Sequence, residues 1–161
     1  MATKGTYVYD WPRPMVTADA AVFAFVESEV RLLLVQRKRP PYQGQWALPG
    51  GFIEMDEDLK DAAARELAEE TSLKGVRLVQ FGTFGTPGRD PRGRVISVAY
   101  TGIAEAGWEN VRAADDAAAV KWHDIDNLPA LAFDHDKVAH SAIEYMKQTE
   151  AYRDYTGRRA T

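Results

Sequence analysis

The segment 57–72 constrains this chain more than any other, because its apolar and acidic residues can share a helix in few ways. Asp56 is a suitable N-cap, Glu57 and Asp58 place negative charge at the positive end of a helix dipole, and Gly75 follows the last turn. The spacing therefore predicts a helix over 57–72. At about 100° per residue, with Leu59 at zero, Ala63 falls at about 40° and Leu67 at about 80°, which defines a stripe for burial. Glu66 then falls at about 340° and Glu70 at about 20°, on the edge and centre of that stripe, while Asp61, Arg65 and Ala68 lie opposite. Two like charges four residues apart in poorly hydrated surroundings repel and resist ionisation unless a cation compensates. The helix alone leaves two readings open. One is an acidic surface helix laced by Asp61, Arg65 and Glu69. The other is a carboxylate site for a hard cation that prefers oxygen ligands, such as Mg²⁺ or Mn²⁺.

The rest of the chain supplies mostly strands. Val16–Val26 and Arg31–Arg37 are rich in β-formers and are broken by Glu27–Glu29, which predicts a hairpin. A loop bearing Pro40, Pro41 and Gly44 leads to a short strand at Trp46–Leu48 and then to Pro49-Gly50-Gly51. Strands are expected at 76–84 and 94–104, around a Gly/Pro/Arg loop, and again at Ala117–Trp122. Asp134 should cap a last helix whose Val138, Ala142, Tyr145 and Met146 share a face, with 156–161 as a flexible tail. Residues 1–15 form an extension that Pro12 and Pro14 keep irregular, yet Tyr7, Tyr9 and Trp11 carry much aromatic surface. They are expected to pack on the domain, on a second subunit or on a ligand base. Strands with one helix in the middle and one at the end predict a single α+β domain over 1–161, a sandwich with a mixed sheet.

Charge and composition exclude more than they assign. A net charge of −4 gives no general attraction to nucleic acid or to an anionic membrane. An anionic substrate must then be held by local basic residues or by metal ions. With no cysteine, disulfides and thiolate metal sites are impossible. No apolar run is long enough for a membrane span, and Met1–Trp11 lacks the layout of a signal peptide, so the expected location is the cytoplasm. Arg89, Arg92 and Arg94 crowd one loop and suit phosphate and ribose oxygens, with a solvated loop paired to Asp90 as the plainer reading. Arg37 is a weaker phosphate candidate. Trp46 fits the core better than a stack on adenine. His123, His135 and His140 are scattered without the spacing of metal ligands.

The spacing Gly51-x5-Glu57-x7-Arg65-Glu66-Leu67-x-Glu69-Glu70-x-Ser72-Leu73 resembles the Nudix box, Gly-x5-Glu-x7-Arg-Glu-apolar-x-Glu-Glu-x-Gly-apolar. The departure is Ser72, where the family has a glycine that ends the helix in a left-handed turn; serine there costs about 1 kcal/mol. Leu32–Arg37, Gly44–Gly51, Phe84–Tyr100 and Leu131–His135 are similar to the ADP-ribose pyrophosphatase branch. They are also similar to the Nudix domain of bacterial repressors of NAD metabolism, which continue into a winged helix that this chain is too short to hold.

The resemblance implies an α/β/α sandwich and metal-dependent hydrolysis of a nucleoside diphosphate derivative, foremost ADP-ribose to AMP and ribose 5-phosphate. Another nucleoside diphosphate or triphosphate, or a sensor without catalysis, are the alternatives; the intact Arg-Glu-x-x-Glu-Glu run argues against the sensor. It further implies that Glu66 and Glu70 ligate Mg²⁺ or Mn²⁺, with Glu69 and the Gly50 carbonyl completing the cluster. Glu57 and Arg65 would hold the loop onto the helix. The general base would come from a downstream loop, where Glu105, Glu109, Asp115 and Asp116 are available and the last two, just before the final strand, are favoured. A homodimer is the expected assembly.

Overall fold

The structure, a computed structural model, describes residues 7–27, 29–105, 107–114 and 117–159. The long apolar run near the N-terminus becomes β1 (Met15–Phe25), and after a tight connection β2 (Val30–Arg37) returns antiparallel to it, with Phe23 opposite Leu32 and Phe25 opposite Val30. This is the expected hairpin. Two short strands follow, β3 (Trp46–Ala47) and β4 (Gly50–Phe52), then α1 (Leu59–Thr71), β5 (Val79–Phe84), β6 (Val95–Ile103), β7 (Ala117–Asp124), α2 (His135–Lys147) and α3 (Glu150–Arg159).

The seven strands form one mixed sheet. The path β3-β2-β1-β6-β5 is extended by β4 pairing with β1 and β7 pairing with β2. Among the described strand pairs only β1 and β6 run parallel, in register from Met15 opposite Val95 to Phe23 opposite Ile103. Alternation along β1 sends Ala18, Ala20, Val22 and Ala24 to one face, where Ala62, Ala63 and Leu67 of α1 cover them. Ala21 and Phe23 face the other way, onto Val138, Ala142, Ile143 and Met146 of α2. Helices on both faces of a mixed sheet make the expected α/β/α sandwich. Among the described residues no helix is long and apolar enough to cross a membrane.

Three local expectations change, and one segment gains a strand. Helix α1 begins two residues later than its charge pattern suggests, because Asp58 rather than Asp56 accepts from the Lys60 amide; Glu57 is drawn outside the helix by Arg65. Asp134 stands at the N-cap of α2 but makes no side-chain cap, since both its oxygens accept from Arg89. Pro49-Gly50-Gly51, left unassigned by the sequence, leads into β4, where Gly50–Phe52 pairs with Thr17–Asp19 of β1. The chain after Tyr155 does not fray but stays in α3 through Arg159. Tyr155 stacks on Phe25 with ring centroids 4.8 Å apart and its hydroxyl donates to the Val26 carbonyl at 2.7 Å, which ties α3 to the β1–β2 turn.

Candidate active site

The site forms where α1 passes over the start of β4. Leu67 and Thr71 of α1 are buried, and the same side of the helix carries Glu66 and Glu70 toward Gly50 and Gly51. The fit is close. A Cβ on Gly51 would lie 2.6 Å from the Glu66 carboxylate, so only glycine leaves room for that side chain. The Gly50 amide donates to Glu70 Oε2 at 3.1 Å. Burial pushes the Glu70 carboxyl up to about 8, with repulsion from Glu66 and Asp19 adding to it and the Gly50 amide and Arg37 opposing it. Burial also raises Glu66, against the pull of Arg65.

Arg65 organises the approach to this pair. Its Nη2 and Nε donate to the two oxygens of Glu57 at 2.6 and 2.9 Å, and Nη2 reaches the Phe52 carbonyl at 3.3 Å. Glu57 accepts in turn from the Glu54 amide at 2.7 Å and is held below the usual carboxylate range by Arg65. This fork fastens residues 52–57 to the helix. Arg65 Nη1 bridges Glu66 at 2.7 Å and Glu69 at 3.2 Å. The surface ladder through Asp61 therefore does not account for the helix: of the two readings left open by the sequence, only the Arg65–Glu69 rung is present among the described contacts. Ser72 occupies the left-handed turn at φ 64°, with its amide donating to the Ala68 carbonyl, so the turn survives the loss of glycine.

A divalent cation suits these groups. Among the described residues no three carboxylate or imidazole groups converge as a finished cage. A hard cation that keeps several waters needs only one or two carboxylates, which is what Glu66 and Glu70 offer. Glu70 is the better indicator, because a carboxyl pushed to about 8 beside a second acid is stabilised as an anion by a cation in that place.

Around the site, the basic residues divide into two kinds. Arg89 drops out of the expected substrate contacts. Its side chain is 4% exposed, and both arms of its guanidinium are on Asp134, at 2.6 and 3.0 Å. Arg92 forks onto buried Asp90 but also lies 4.7 Å over Phe52 and 5.1 Å over Phe133. Arg94 is exposed and donates to the Gly85 carbonyl. Arg37, next to a bulge in the β2–β7 pairing, donates to the Pro41 carbonyl at 2.8 Å and lies 4.8 Å over Phe133. Trp46 belongs to the core, edge-on to His123 at 4.7 Å.

Three features escaped the sequence. Tyr42 and Phe133 meet edge to face at 4.8 Å, both at positive φ (58° and 55°), and strained non-glycine residues collect at functional sites. Asp19 is an acid inside an apolar strand, 5% exposed, accepting from Thr17 at 3.2 Å and from Ser97. His135 is buried beneath the Pro49–Gly50 corner. An acid in the middle of VTADAAVFAF was the available signal for Asp19; nothing in the local sequence marks its partners. Of the candidate bases, Glu105 lies by the cavity lined by Phe25 and Tyr155, at the far end of β1, and Glu109 is exposed in a short 3₁₀ turn (Trp108–Asn110). Asp115 and Asp116 lie outside the described residues; the residue before them, Ala114, donates its amide to the Glu70 carbonyl at 3.2 Å.

The family model for the NUDIX domain matches residues 16–145. An ADP-ribose pyrophosphatase from Methanocaldococcus jannaschii is 42% identical over 118 residues, 73% of this chain and 69% of that protein. The Nudix domain of Shewanella oneidensis NrtR, solved with ADP ribose, superposes with a TM-score of 0.77 at 33% identity, covering 86% of this chain and 94% of that one. A bifunctional NMN adenylyltransferase/ADP ribose pyrophosphatase from Francisella tularensis, solved with AMP and a Mn ion, gives 0.71 at 33% identity over 85% of this chain and 43% of that one. The chain is a Nudix hydrolase, similar to ADP-ribose pyrophosphatases and to the Nudix domains of NrtR repressors.

Proposed function

We propose that this Nudix hydrolase uses Mg²⁺ or Mn²⁺ to cleave the diphosphate of ADP-ribose, releasing AMP and ribose 5-phosphate. The observation that carries the reading is the pair Glu66 and Glu70, half-buried one turn apart on α1 and turned onto Gly51 and Gly50, with the Gly50 amide donating to Glu70 at 3.1 Å. The M. jannaschii relative named for ADP-ribose and the NrtR domain solved with that ligand support the substrate; the Mn ion in the F. tularensis structure supports the metal class.

Bound metal would neutralise diphosphate charge and acidify a water for attack on phosphorus. The chain's own residues do the rest. Glu66 and Glu70 are the carboxylate ligands, with Glu69 and the Gly50 carbonyl as the further ligands, and the Glu57–Arg65 fork keeps their loop in place. Arg37, Arg92 and Arg94 contact phosphate and ribose oxygens, while Tyr42 and Phe133 offer flat surfaces beside them. Asp115 or Asp116 accepts the proton of the attacking water; the Ala114–Glu70 backbone bond, which ties the start of their loop to α1, supports that assignment. The protein acts as a cytoplasmic homodimer on a small nucleotide. The test is to incubate purified protein and Mg²⁺ with a panel of nucleoside diphosphate compounds and weigh the products. AMP and ribose 5-phosphate released fastest from ADP-ribose support the reading. Preferential cleavage of another nucleotide overturns the substrate, and no cleavage of any member overturns the activity.

A further inference from the structure

Each residue of Leu48-Pro49-Gly50 is tied to a different element. The Leu48 amide donates to Nδ1 of His135 on α2 at 3.0 Å, the Pro49 carbonyl accepts from the Ala20 amide of β1 at 2.8 Å, and the Gly50 amide donates to Glu70 of α1 at 3.1 Å. The Pro49 tie is backbone to backbone, and the Gly50 tie goes to a glutamate of the site itself. The third requires one particular ring. We propose that His135, oriented by Asp19, is a positioning residue that holds the Pro49–Gly50 corner in register with Glu66 and Glu70. This inference rests on the reading of those glutamates as metal ligands.

The chemistry of the ring supports it. A nitrogen that accepts from an amide carries no hydrogen, so the neutral imidazole has its hydrogen on Nε2. Nε2 lies 3.9 Å from Asp19 Oδ1, and both side chains are 7% exposed. Asp19 thus faces the only ring nitrogen that can present a hydrogen to it, which favours the tautomer that leaves Nδ1 free for Leu48. Asp19 is itself held, by the hydroxyls of Thr17 and Ser97 on its other oxygen. The corner closes tightly over this acid: a Cβ on Gly50, at φ 157°, would fall 2.3 Å from Asp19 Oδ1. The charges acting on the ring are those of Asp19, Asp134, Arg89 and Arg37, and the Phe133 ring is centred 5.4 Å away; this polar, enclosed setting is unlike that of a histidine that only fills a core.

Two substitutions separate the acceptor from mere bulk. His135→Asn can place a carbonyl oxygen where Nδ1 stands, whereas His135→Gln can keep a polar group toward Asp19 but offers no acceptor at the δ position. The probe is Mn²⁺ itself, titrated without substrate and followed by electron paramagnetic resonance, with ADP-ribose kinetics beside it and circular dichroism to confirm folding. The expected result is that His135→Gln weakens Mn²⁺ binding by about tenfold and lowers kcat with little change in KM, in line with loss of a group that orients metal ligands. His135→Asn should recover most of both. Wild-type Mn²⁺ affinity in His135→Gln overturns the proposal, and so does an equal loss in His135→Asn. If the wild-type protein itself binds no Mn²⁺, the metal reading falls, and the positioning role with it.

Discussion

Glu70 shows how a single residue can oppose the fold and serve the site. Its carboxyl is half-buried and partly desolvated, which favours the protonated form, so the folded protein holds a proton there that the unfolded chain releases near pH 4.5. A group raised in this way stabilises the fold below its unfolded value, and that stability is lost as pH climbs through the folded value, about 8. His135 and His123, both lowered by burial, act in the opposite direction, but only below about 6.5. Between pH 6.5 and 8 the metal-free protein should therefore lose stability, by up to about 1.4 kcal/mol per pH unit, and Glu70→Gln should flatten that slope. Denaturant melts in EDTA at three pH values check this; a wild-type slope of zero or of the opposite sign contradicts it. Arg89 and Arg94 differ in kind. Arg89→Ala strands Asp134 in a largely buried place and should cost on the order of 3 kcal/mol in a thermal melt. Arg94→Ala should leave the melt unchanged and raise KM for ADP-ribose by about tenfold or more, about 1.4 kcal/mol of a charge-assisted contact. Equal effects of the two changes on stability would remove the distinction.

At the scale of elements, the helix that carries the box was legible because its periodicity and its misplaced charges point to one face. Leu67 and Thr71 are buried, and Glu66 and Glu70 go where the wheel puts them. Its start was not legible to the residue, since Asp56 and Asp58 are equally good caps and the choice depends on Arg65 holding Glu57 from eight residues away. The third helix was missed for a related reason: its apolar surface is essentially Tyr152 and Tyr155, whose partner Phe25 lies far away in the chain. Asp19 and His135 were missed because their meaning arises only when β1 and α2 meet. The end of α1 carries its own test. Ser72 at φ 64° is a residue with a Cβ in a conformation glycine adopts freely, so Ser72→Gly should stabilise the protein by about 1 kcal/mol in a urea melt. A loss of stability would mean that the Ser72 hydroxyl, 3.4 Å from the Arg112 carbonyl, contributes more than the strain costs.

For the whole molecule, the sandwich explains how an acidic chain can hold an acidic substrate. The sheet brings together α1, the β4 corner and the loop before α2, so that Glu70 feels the charge of Arg37 while Arg37 and Arg92 close on Phe133 and Arg92 also on Phe52. The N-terminal extension is the part of the molecule least accounted for by this domain. Val8 and Trp11 are 92% and 80% exposed, and Tyr7 and Tyr9 stack on each other with ring centroids 6.1 Å apart. So much apolar surface favours burial against a second copy. Sedimentation should then give a dimer at micromolar concentration that dissociates when residues 1–14 are removed; a monomer in both cases contradicts this. Whether Glu66 and Glu70 work through a metal is tested most directly by ADP-ribose turnover titrated with Mg²⁺ in wild type and Glu70→Gln. Loss of one ligand charge should cut kcat at saturating Mg²⁺ by roughly 10²–10⁴-fold and shift half-saturation to higher Mg²⁺. Turnover that needs no Mg²⁺, or that Glu70→Gln leaves within about twofold of wild type, would contradict it.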